Sequence, residues 1–297
     1  MLNHHGQGEG RGRKQLCDME SYVYHYTSLE AFKGIIGEKD ICLWATKYDC
    51  LNDPLEQKWA QQIVFDKIRK LEDYKTMDEK EIAAFHAKYP YTISLCKDCD
   101  SRVMWRLYAG DGKGIMLVFK AKVLMKTARE HTFKDPKNSY EIFAPVVYAN
   151  DKNVSECIHS SMKQIAYPEL NDEKPNMLAQ TCSFIKHEDF RCEKEVRYAV
   201  SREFDNIKIS YNKVKQCSEV SDVSENISDV KYRMRSNELI PYLEVHLPIC
   251  SLEKVVVGYQ MREPNSVCQR IRDYMRSRNE LLYKDVKVEL SKIKYDV

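Results

Sequence analysis

The sequence has no marked excess of charge of either sign. Its 297 residues include 47 basic and 45 acidic side chains, which gives a formal net charge of +2. This balance excludes a global electrostatic field that would hold the protein on nucleic acid or on an anionic membrane. Any binding to nucleic acid would therefore need a local basic patch.

Long apolar runs are missing as well. No stretch of the sequence approaches the roughly 20 apolar residues that are needed to cross a bilayer, and none has the hydrophobic centre of a secretion signal. We therefore expect a soluble, cytoplasmic protein that has no membrane partner.

Glycine and proline are few, with ten and nine residues, whereas hydrophobic residues make up 43% of the chain. This composition allows one sizeable core or two modest ones. We expect a flexible N-terminal arm at 1–19 and a single domain at 20–297. Within the domain, the sequence predicts a helical insertion at about 55–88 and a mobile segment at about 212–238, and it shows no internal repeat.

The eleven cysteines are spread through a chain without a secretion signal, which favours reduced thiols. Cys96 and Cys99 have the spacing of half a zinc site or of a redox pair. No second pair with matching spacing accompanies them, so we expect no bound metal.

Hydrophobic patterning predicts the elements that position the candidate residues. Aromatic and β-favouring residues at 22–27 predict a strand, which leads through the helix cap Ser28 into a short amphipathic helix that stops at Gly37. The pattern also predicts strands at 41–46, 91–96, 114–120 and 195–200, and helices at 103–109, 154–167 and 177–187.

Two motifs suit the binding of a sugar or a heterocycle. His25, at the end of a strand and followed by hydroxyl residues, can form hydrogen bonds with sugar hydroxyls. Trp105 and Tyr108 offer aromatic faces that can stack on a flat ring, although aromatic residues on a helix usually pack into the core. A glycine-rich turn at 110–114 lacks the spacing of a phosphate loop, but it can let the backbone approach a ligand closely.

A third motif carries charge. Glu193, Glu195 and Arg197 are predicted to lie on the same side of a strand because side chains alternate along it. A neighbouring arginine keeps a glutamate ionised, although surface strands also carry such charge ladders for solubility alone.

Taken in order, these motifs resemble a bacterial family known as domain of unknown function 2971. The order of the motifs, with loose spacing from His25 to Gly258, is more specific than any one of them. The matching segments are His25-Tyr26-Thr27-Ser28, Leu51-Asn52-Asp53-Pro54-Leu55-Glu56, Met104-Trp105 with Tyr108-Ala109, Gly114 before a strand, Glu193-Lys194-Glu195 with Arg197, and Val255-Val256-Val257-Gly258.

That family looks like a distant branch of the ADP-ribosyltransferase superfamily, of the type with a His-Tyr-Glu group. The resemblance implies an α+β fold, with a split, mixed or antiparallel β-sheet core that carries helical insertions. It also implies an enzyme that cleaves the nicotinamide-ribose bond of NAD, either as an ADP-ribosyltransferase or as an NAD glycohydrolase. NAD would be the substrate, and no metal would be required.

The resemblance also implies a role for each matching residue. His25 would bind a ribose hydroxyl or the adjoining phosphate, Tyr108 would stack against nicotinamide, and Glu195 would contact the ribose whose bond breaks. Arg197 would orient Glu195 or contact a phosphate. The other residues expected to bind NAD or to shape its cleft are Tyr26, Thr27, Asn52, Asp53, Ser94 and Trp105.

One position departs from the pattern of the family, because Val196 stands where a tryptophan commonly precedes the arginine. The change removes bulk near the strand but no charge. The acid could be Glu193 or Glu195, and the spacing to Arg197 favours Glu195.

Two other classes of function stay open. The chain could be a catalytically inactive module that senses a nucleotide or binds a protein, or it could bind nucleic acid through basic residues at 11–14, 233–235 and 270–278. For an enzyme, protein, nucleic acid, a small molecule or water could accept the ADP-ribose. The superfamily resemblance also implies a role as a toxin or antiphage effector. The oligomeric state stays open.

Overall fold

The computed structural model describes residues 22–52, 59–60, 62–63, 90–134, 139–150, 152–165, 180–202, 209–212, 217–220 and 230–294. Its strands are β1 (Tyr22–Thr27), β2 (Asp40–Lys47), β3 (Tyr91–Cys96), β4 (Ile115–Lys120), β5 (Ser139–Pro145), β6 (Val147–Ala149), β7 (Ile185–His187), β8 (Glu195–Arg202), β9 (Ile209–Asn212), β10 (Cys217–Val220), β11 (Lys231–Arg235), β12 (Glu238–Pro248), β13 (Leu252–Val257) and β14 (Lys287–Leu290). Its longer helices are α1 (Leu29–Ile35), α2 (Arg102–Tyr108), α3 (Ala121–Lys134), α4 (Val154–Ile165) and α5 (Pro264–Tyr283).

A large mixed sheet organises these elements. Its strands follow the order β11-β12-β2-β3-β1-β4-β13-β14, and β8 joins it by pairing with both β3 and β5. The β13-β14 pair is parallel, whereas neighbours such as β1-β4, β2-β12 and β3-β8 are antiparallel. The expectation of an α+β fold with a mixed sheet and surrounding helices is therefore confirmed.

The main core lies between one face of this sheet and the helices that cover it. Leu117 of β4 and Val255 of β13 are fully buried there, together with Phe32 of α1, Leu124 of α3 and Ile271 of α5. A second cluster lies around α2, where Met104 and Trp105 pack with Met116 and Tyr26. Helix α2 is thereby fixed against strands β1 and β4.

The connection from β1 into α1 follows from the local sequence. Ser28 has an extended backbone, and its hydroxyl accepts a hydrogen bond from the amide of Ala31 at 3.0 Å. This contact satisfies one of the free amides of the first helical turn. The predicted cap and the short helix behind it are confirmed, and the cap fixes the chain direction directly after His25.

One predicted element differs from the fold, and one observed helix was not predicted. The stretch predicted as a helix at 177–187 is helical only at 180–182 where it is described, and it ends in strand β7, which pairs in parallel with β6. Helix α3, with 14 residues, was not predicted at all. Its buried positions include Ala121, Thr127 and Ala128, which give little hydrophobic periodicity.

Several predictions concern parts of the chain outside the described residues. They include the flexible arm at 1–19 and most of the helical insertion at about 55–88, of which 59–60 and 62–63 are described and helical. Within the segment at about 212–238, the described residues include strands β10 and β11. Of the helices in the described part of the chain, none combines the length and the apolar character needed to span a bilayer.

Candidate active site

Strand β3 is the point at which the sheet branches. Along one edge it pairs with β8 over its whole length, from Tyr91 opposite Val200 to Cys96 opposite Glu195. Along its other edge it pairs with β2 only at 91–92, and with β1 only at Cys96. The centre of β3 therefore borders a split between β1 and β2.

A cleft of about 990 Å³ lies at this split. Side chains from both sides of the branch line it, because β1, β2, β3 and β8 all contribute to its wall. Of the residues singled out in the sequence, those that line the cleft are His25, Tyr26, Thr27, Asn52, Ser94, Tyr108, Glu193, Glu195, Arg197, Arg233 and Arg235.

His25 spans the split from β1 to β3. Its Nδ1 lies 3.1 Å from the backbone carbonyl oxygen of Ser94. Burial lowers the pKa of His25, and the hydrogen bond to Ser94 opposes that change only in part, so the ring is neutral near pH 7. A carbonyl oxygen can only accept, so Nδ1 carries the proton and Nε2 is left as a hydrogen-bond acceptor.

Glu195 is held by Arg197 through two parallel hydrogen bonds. Nε donates to Oε1 at 2.7 Å and Nη2 donates to Oε2 at 2.9 Å. Arg197 is only 1% exposed, and its Nη1 donates to the backbone oxygen of Ser183 at 2.5 Å. Of the two predicted roles of Arg197, the geometry provides the orientation of Glu195.

The ionisation of Glu195 follows from these neighbours. Burial alone would raise its pKa, but the charges of Arg197 and Lys186, with hydrogen bonds from Arg197 and Ser94, outweigh burial and lower the pKa to about 2. The carboxylate therefore stays negative at every physiological pH. Ser94 thus contacts the candidate acid with its side chain and His25 with its backbone.

Lys186 is a site residue that the sequence analysis missed. It is 4% exposed on β7, and its Nζ lies 2.5 Å from Oε2 of Glu193 and 3.3 Å from Oε2 of Glu195. No signal in the sequence pointed to Lys186, because the motif at 193–197 is already balanced in charge by Lys194 and Arg197. In the structure Lys194 pairs instead with Asp98, so the two buried carboxylates depend on Arg197 and Lys186 for positive charge.

A hydrogen bond joins Tyr108, at the C-terminal end of α2, to Glu193. The Tyr108 hydroxyl donates to Oε1 of Glu193 at 2.8 Å, and the Tyr108 side chain is 39% exposed. Burial, followed by the charge of Glu193, raises the pKa of Tyr108, so the phenol keeps its proton. This bond orients the ring and leaves part of it open to a ligand.

Strand alternation was predicted for 193–197, but it does not explain the position of Glu193. Glu193 ends a 3-10 turn at Glu188–Glu193, and Lys194 adopts a left-handed conformation with φ 44° before β8 begins at Glu195. Both glutamates nevertheless reach the same Lys186 amine. A backbone turn, in addition to strand alternation, therefore brings the two carboxylates together.

The remaining predicted residues differ in their availability to a ligand. The Tyr26 hydroxyl already donates to the carbonyl of Asp98 at 2.8 Å and accepts from the amide of Ser101 at 2.9 Å. The Asn52 Oδ1 accepts from Arg235 at 2.7 Å. Asp53 lies outside the described residues.

Trp105 was expected to shape the cleft, but the structure places it elsewhere. Its side chain is fully buried, its ring contacts Tyr26 edge to face, and its Nε1 donates to Oδ1 of Asp100 at 2.7 Å. Trp105 is not among the residues that line the cleft. Its hydrophobic area packs α2 onto β1, which places Tyr108 at the end of the same helix.

The glycine-rich turn at 110–114 packs against other backbone segments. A Cβ at Gly114 would lie 2.3 Å from the carbonyl oxygen of Thr27, and one at Gly258 would lie 2.2 Å from that of Gly112. Close backbone packing therefore explains these glycines. None of the residues at 110–114 is among those that line the cleft.

The expectation of no metal concerned Cys96 and Cys99. Within the described residues, one group of potential ligands brings its atoms within 4.8 Å of one another, namely Cys42, Glu244 and His246. Lys231 already pairs with Glu244 in this group at 2.7 Å. Cys96 is buried and accepts a hydrogen bond from the amide of Asp98, whereas Cys99 is exposed.

One comparison with known proteins finds a family model that matches part of this chain. The family model described as "Protein of unknown function (DUF2971)" matches residues 104–198. No curated protein matches the chain. Among solved structures, the chain is similar to Thermus sp. 2.9 DarT in complex with carba-NAD+, with 10% sequence identity, a TM-score of 0.29 and coverage of 92% of this chain and 96% of that chain. The resemblance to the DUF2971 family is therefore confirmed over residues 104–198, the segment that carries Tyr108, Lys186, Glu195 and Arg197.

Proposed function

We propose that this protein cleaves the nicotinamide-ribose bond of NAD, as an ADP-ribosyltransferase or an NAD glycohydrolase. One observation carries the proposal. His25 from β1, Tyr108 from α2 and Glu195 from β8 are distant in sequence but line the same cleft. Its volume of about 990 Å³ lies at the upper end of the range that is usual for ligand pockets, as a dinucleotide requires.

Glu195 supplies the charge that the reaction needs. Departure of nicotinamide builds positive charge on the ribose, in an oxocarbenium-like transition state. Nicotinamide leaves as a neutral molecule from a cationic ring, so no proton has to reach it. A carboxylate that stays ionised and is fixed by Arg197 stabilises the developing charge at the sugar.

Tyr108 and His25 position the two sides of the reacting bond. The partly exposed ring of Tyr108, oriented through Glu193, stacks on the nicotinamide. The Nε2 of neutral His25 accepts a hydrogen bond from a ribose hydroxyl. Binding energy from these contacts orients the scissile bond against Glu195.

This mechanism uses NAD as the substrate and involves no metal. The acceptor of the ADP-ribose, which is protein, nucleic acid, a small molecule or water, stays open, and the role as a toxin or antiphage effector stays a prediction. Glu193 also lines the cleft. The assignment of the acid to Glu195 is thus a choice between two neighbouring carboxylates, and matched glutamine variants of each can test it.

The direct test follows the two halves of NAD. Purified protein is incubated with NAD labelled in the nicotinamide, and release of free nicotinamide is measured by chromatography. A parallel reaction contains adenine-labelled NAD and cell extract, and the label is located in protein, nucleic acid or free ADP-ribose. Nicotinamide release supports the proposal. Tight binding of NAD without any release contradicts it and favours the nucleotide-sensing alternative.

A further inference from the structure

A second group of polar side chains lines the cleft on the β2 side of the split. Thr46 of β2 stands directly opposite Thr92 of β3, and Arg233 and Arg235 reach the cleft from β11. Thr92 lies two residues along β3 from Ser94, a distance of about 7 Å for a strand. This group is therefore close to the position at which β3 contacts His25 and Glu195.

Arg233 is held in place and still has a free donor. Its guanidinium lies 5.6 Å from the ring centre of Trp44 and 6.0 Å from that of Tyr242, and its Nη2 donates to Oγ1 of Thr46 at 2.8 Å. Its Nε is buried and has no hydrogen-bond partner in the described part of the chain. Such an unpaired buried donor is unusual in a folded protein and indicates an absent partner.

The two threonines add hydroxyl donors to the same wall. The Thr46 oxygen accepts from Arg233, so its own proton remains available. Thr92 is 2% exposed, and its Oγ1 has no hydrogen-bond partner among the described residues. A ligand that satisfies this set of atoms must present several acceptor oxygens.

Charge points to the same kind of ligand. On the acidic side of the cleft, the negative charges of Glu193 and Glu195 are balanced by Lys186 and Arg197. Arg235 donates to the Asn52 Oδ1 and to the carbonyl oxygen of Cys50, both of which are uncharged acceptors.

Within the described residues, neither Arg233 nor Arg235 forms an ion pair with a carboxylate, so two positive charges face the cleft without a partner of opposite sign. Glu30 also lines the cleft, but its side chain is exposed.

We propose that Arg233, Arg235, Thr46 and Thr92 bind the pyrophosphate group of a dinucleotide. Pyrophosphate carries negative charge and offers only acceptor oxygens, which matches a wall made of two guanidinium groups and two hydroxyls. The choice of a dinucleotide rests on the proposed function. The nicotinamide ribose then lies toward Glu195 and the phosphates lie toward β11, so the cleft complements both the cationic nicotinamide end and the anionic pyrophosphate at the centre of the dinucleotide.

Binding measurements test this site without a need for catalysis. Calorimetry gives the affinities of ADP-ribose and inorganic pyrophosphate for the wild type, for the double variant Arg233→Gln/Arg235→Gln and for Thr92→Val. We expect the dissociation constant for ADP-ribose to rise at least about tenfold in the double variant, as loss of charge-assisted hydrogen bonds implies. The exposed Arg262, outside the cleft, provides the matched control Arg262→Gln, which should bind as the wild type does.

Thermal unfolding establishes that each variant is folded. If the double variant does not fold, the single variant Arg235→Gln decides the question, since Arg235 makes its two hydrogen bonds near the surface. The proposal would be overturned if the folded variants bound ADP-ribose as tightly as the wild type does. It would also be overturned if the wild type bound neither ADP-ribose nor inorganic pyrophosphate.

The outcomes separate this inference from the proposed function. If the wild type binds ADP-ribose through these arginines but releases no nicotinamide, the pyrophosphate site stands and the proposed reaction fails. If the wild type releases nicotinamide and the double variant retains its ADP-ribose affinity, the reaction stands and the site is wrong. The assignment to the dinucleotide would also be wrong if the double variant kept its affinity for ADP-ribose but lost transfer of ADP-ribose to a phosphorylated acceptor.

Discussion

The guanidinium of Arg197 holds both carboxylate oxygens of Glu195, at 2.7 Å and 2.9 Å. Arg197→Lys keeps the positive charge but cannot reproduce this planar pair of hydrogen bonds. We expect kcat for nicotinamide release to fall about ten- to a hundredfold, because a misplaced carboxylate loses its alignment with the sugar. KM should change much less, since the guanidinium of Arg197 already donates to Glu195 and to the backbone oxygen of Ser183.

The control for this prediction is Arg262→Lys, a change at an exposed arginine outside the cleft. Steady-state kinetics on both variants, with thermal unfolding to establish folding, provide the measurement. A wild-type kcat in folded Arg197→Lys would show that the pair does not position Glu195 for the reaction.

Lys186 lies between Glu193 and Glu195, so its removal leaves two neighbouring carboxylates with too little positive charge. Lys186→Met should reduce the free energy of unfolding by about 3 kcal/mol, the scale for breaking a buried pair. It should also raise the pKa of Glu195 above the present value of about 2, since Lys186 is one of the charges that lower it.

The sign of the pH effect follows from that pKa. A glutamate whose folded pKa lies below its unfolded value of 4.5 stabilises the fold above pH 4.5, and this contribution disappears as the pH falls toward 2. In Lys186→Met this contribution should be smaller and its loss should be complete at a higher pH, and the acid limb of kcat/KM should move in the same direction. Lys194→Met, which breaks a partly exposed pair with Asp98, is the control. Superimposable pH profiles of Lys186→Met and the wild type would contradict the prediction.

Tyr108 has two separable contributions, its ring and its hydroxyl. Tyr108→Phe keeps the ring and loses the hydrogen bond to Glu193, whereas Tyr108→Ala loses both. We expect Tyr108→Ala to weaken NAD binding at least about tenfold, the scale of one stacked aromatic contact. Tyr108→Phe should weaken it much less. Equal affinities of Tyr108→Ala and the wild type in calorimetry would remove stacking from the account.

The sequence was sufficient for the elements that carry His25, Tyr108 and Glu195. Strand β1, helix α2 and strand β8 each have a local signal, because a strand shows alternation and a helix shows its own hydrophobic spacing. The chemistry of the side chains of His25, Tyr108 and Glu195 was also enough to select them as candidates. The shared cleft follows from pairing between distant strands, which the family resemblance implied and local patterns do not encode.

There are also physical reasons why Lys186 was not predicted and why Trp105 was wrongly assigned to the cleft. Lys186 lies on β7, a strand of three residues that is too short to show a period, and the helical residues at 180–182 precede it directly. Trp105 was assigned to the cleft by the family resemblance, as part of the motif that also contains Tyr108. Residues three apart on a helix differ by about 60° around its axis. Trp105 therefore packs into the core around Tyr26, whereas Tyr108 lies at the edge of that buried face and stays partly exposed.

Arg233 and Arg235 were considered only as a basic patch for nucleic acid. Strand β11 joins the sheet through β12, which in turn pairs with β2. Two successive antiparallel pairings therefore bring residues near 233 next to Thr46, almost two hundred positions earlier in the chain. A linear sequence offers no local signal for such a contact.

From the lowered pKa of His25 we predict how NAD binding depends on pH. Burial lowers its pKa from the ordinary value of 6.5, so the neutral ring with its acceptor Nε2 persists through neutral pH. We expect affinity to be constant above pH 6.5 and to weaken only in more acidic solution, where protonation removes the acceptor. The folded protein also loses stability as the pH falls below 6.5, because the unfolded chain then binds more protons at this residue.

The matched variant for this prediction is His25→Gln, which can still donate to the Ser94 carbonyl and accept from a ribose. It has no titration in this range, so the acid limb should disappear from its binding curve. Dissociation constants for NAD measured between about pH 5 and pH 8 compare the two proteins. An identical acid limb in both proteins would assign the titration to another group.

The central claim is that Glu195 stabilises the positive charge that forms when nicotinamide leaves the ribose. The most direct measurement is the single-turnover rate of nicotinamide release from NAD by the wild type, Glu195→Gln and the matched variant Glu193→Gln, with circular dichroism to establish folding. We predict a loss of at least about a hundredfold in Glu195→Gln, the scale for a focused electrostatic group, and a smaller loss in Glu193→Gln. A wild-type rate in folded Glu195→Gln would contradict the account.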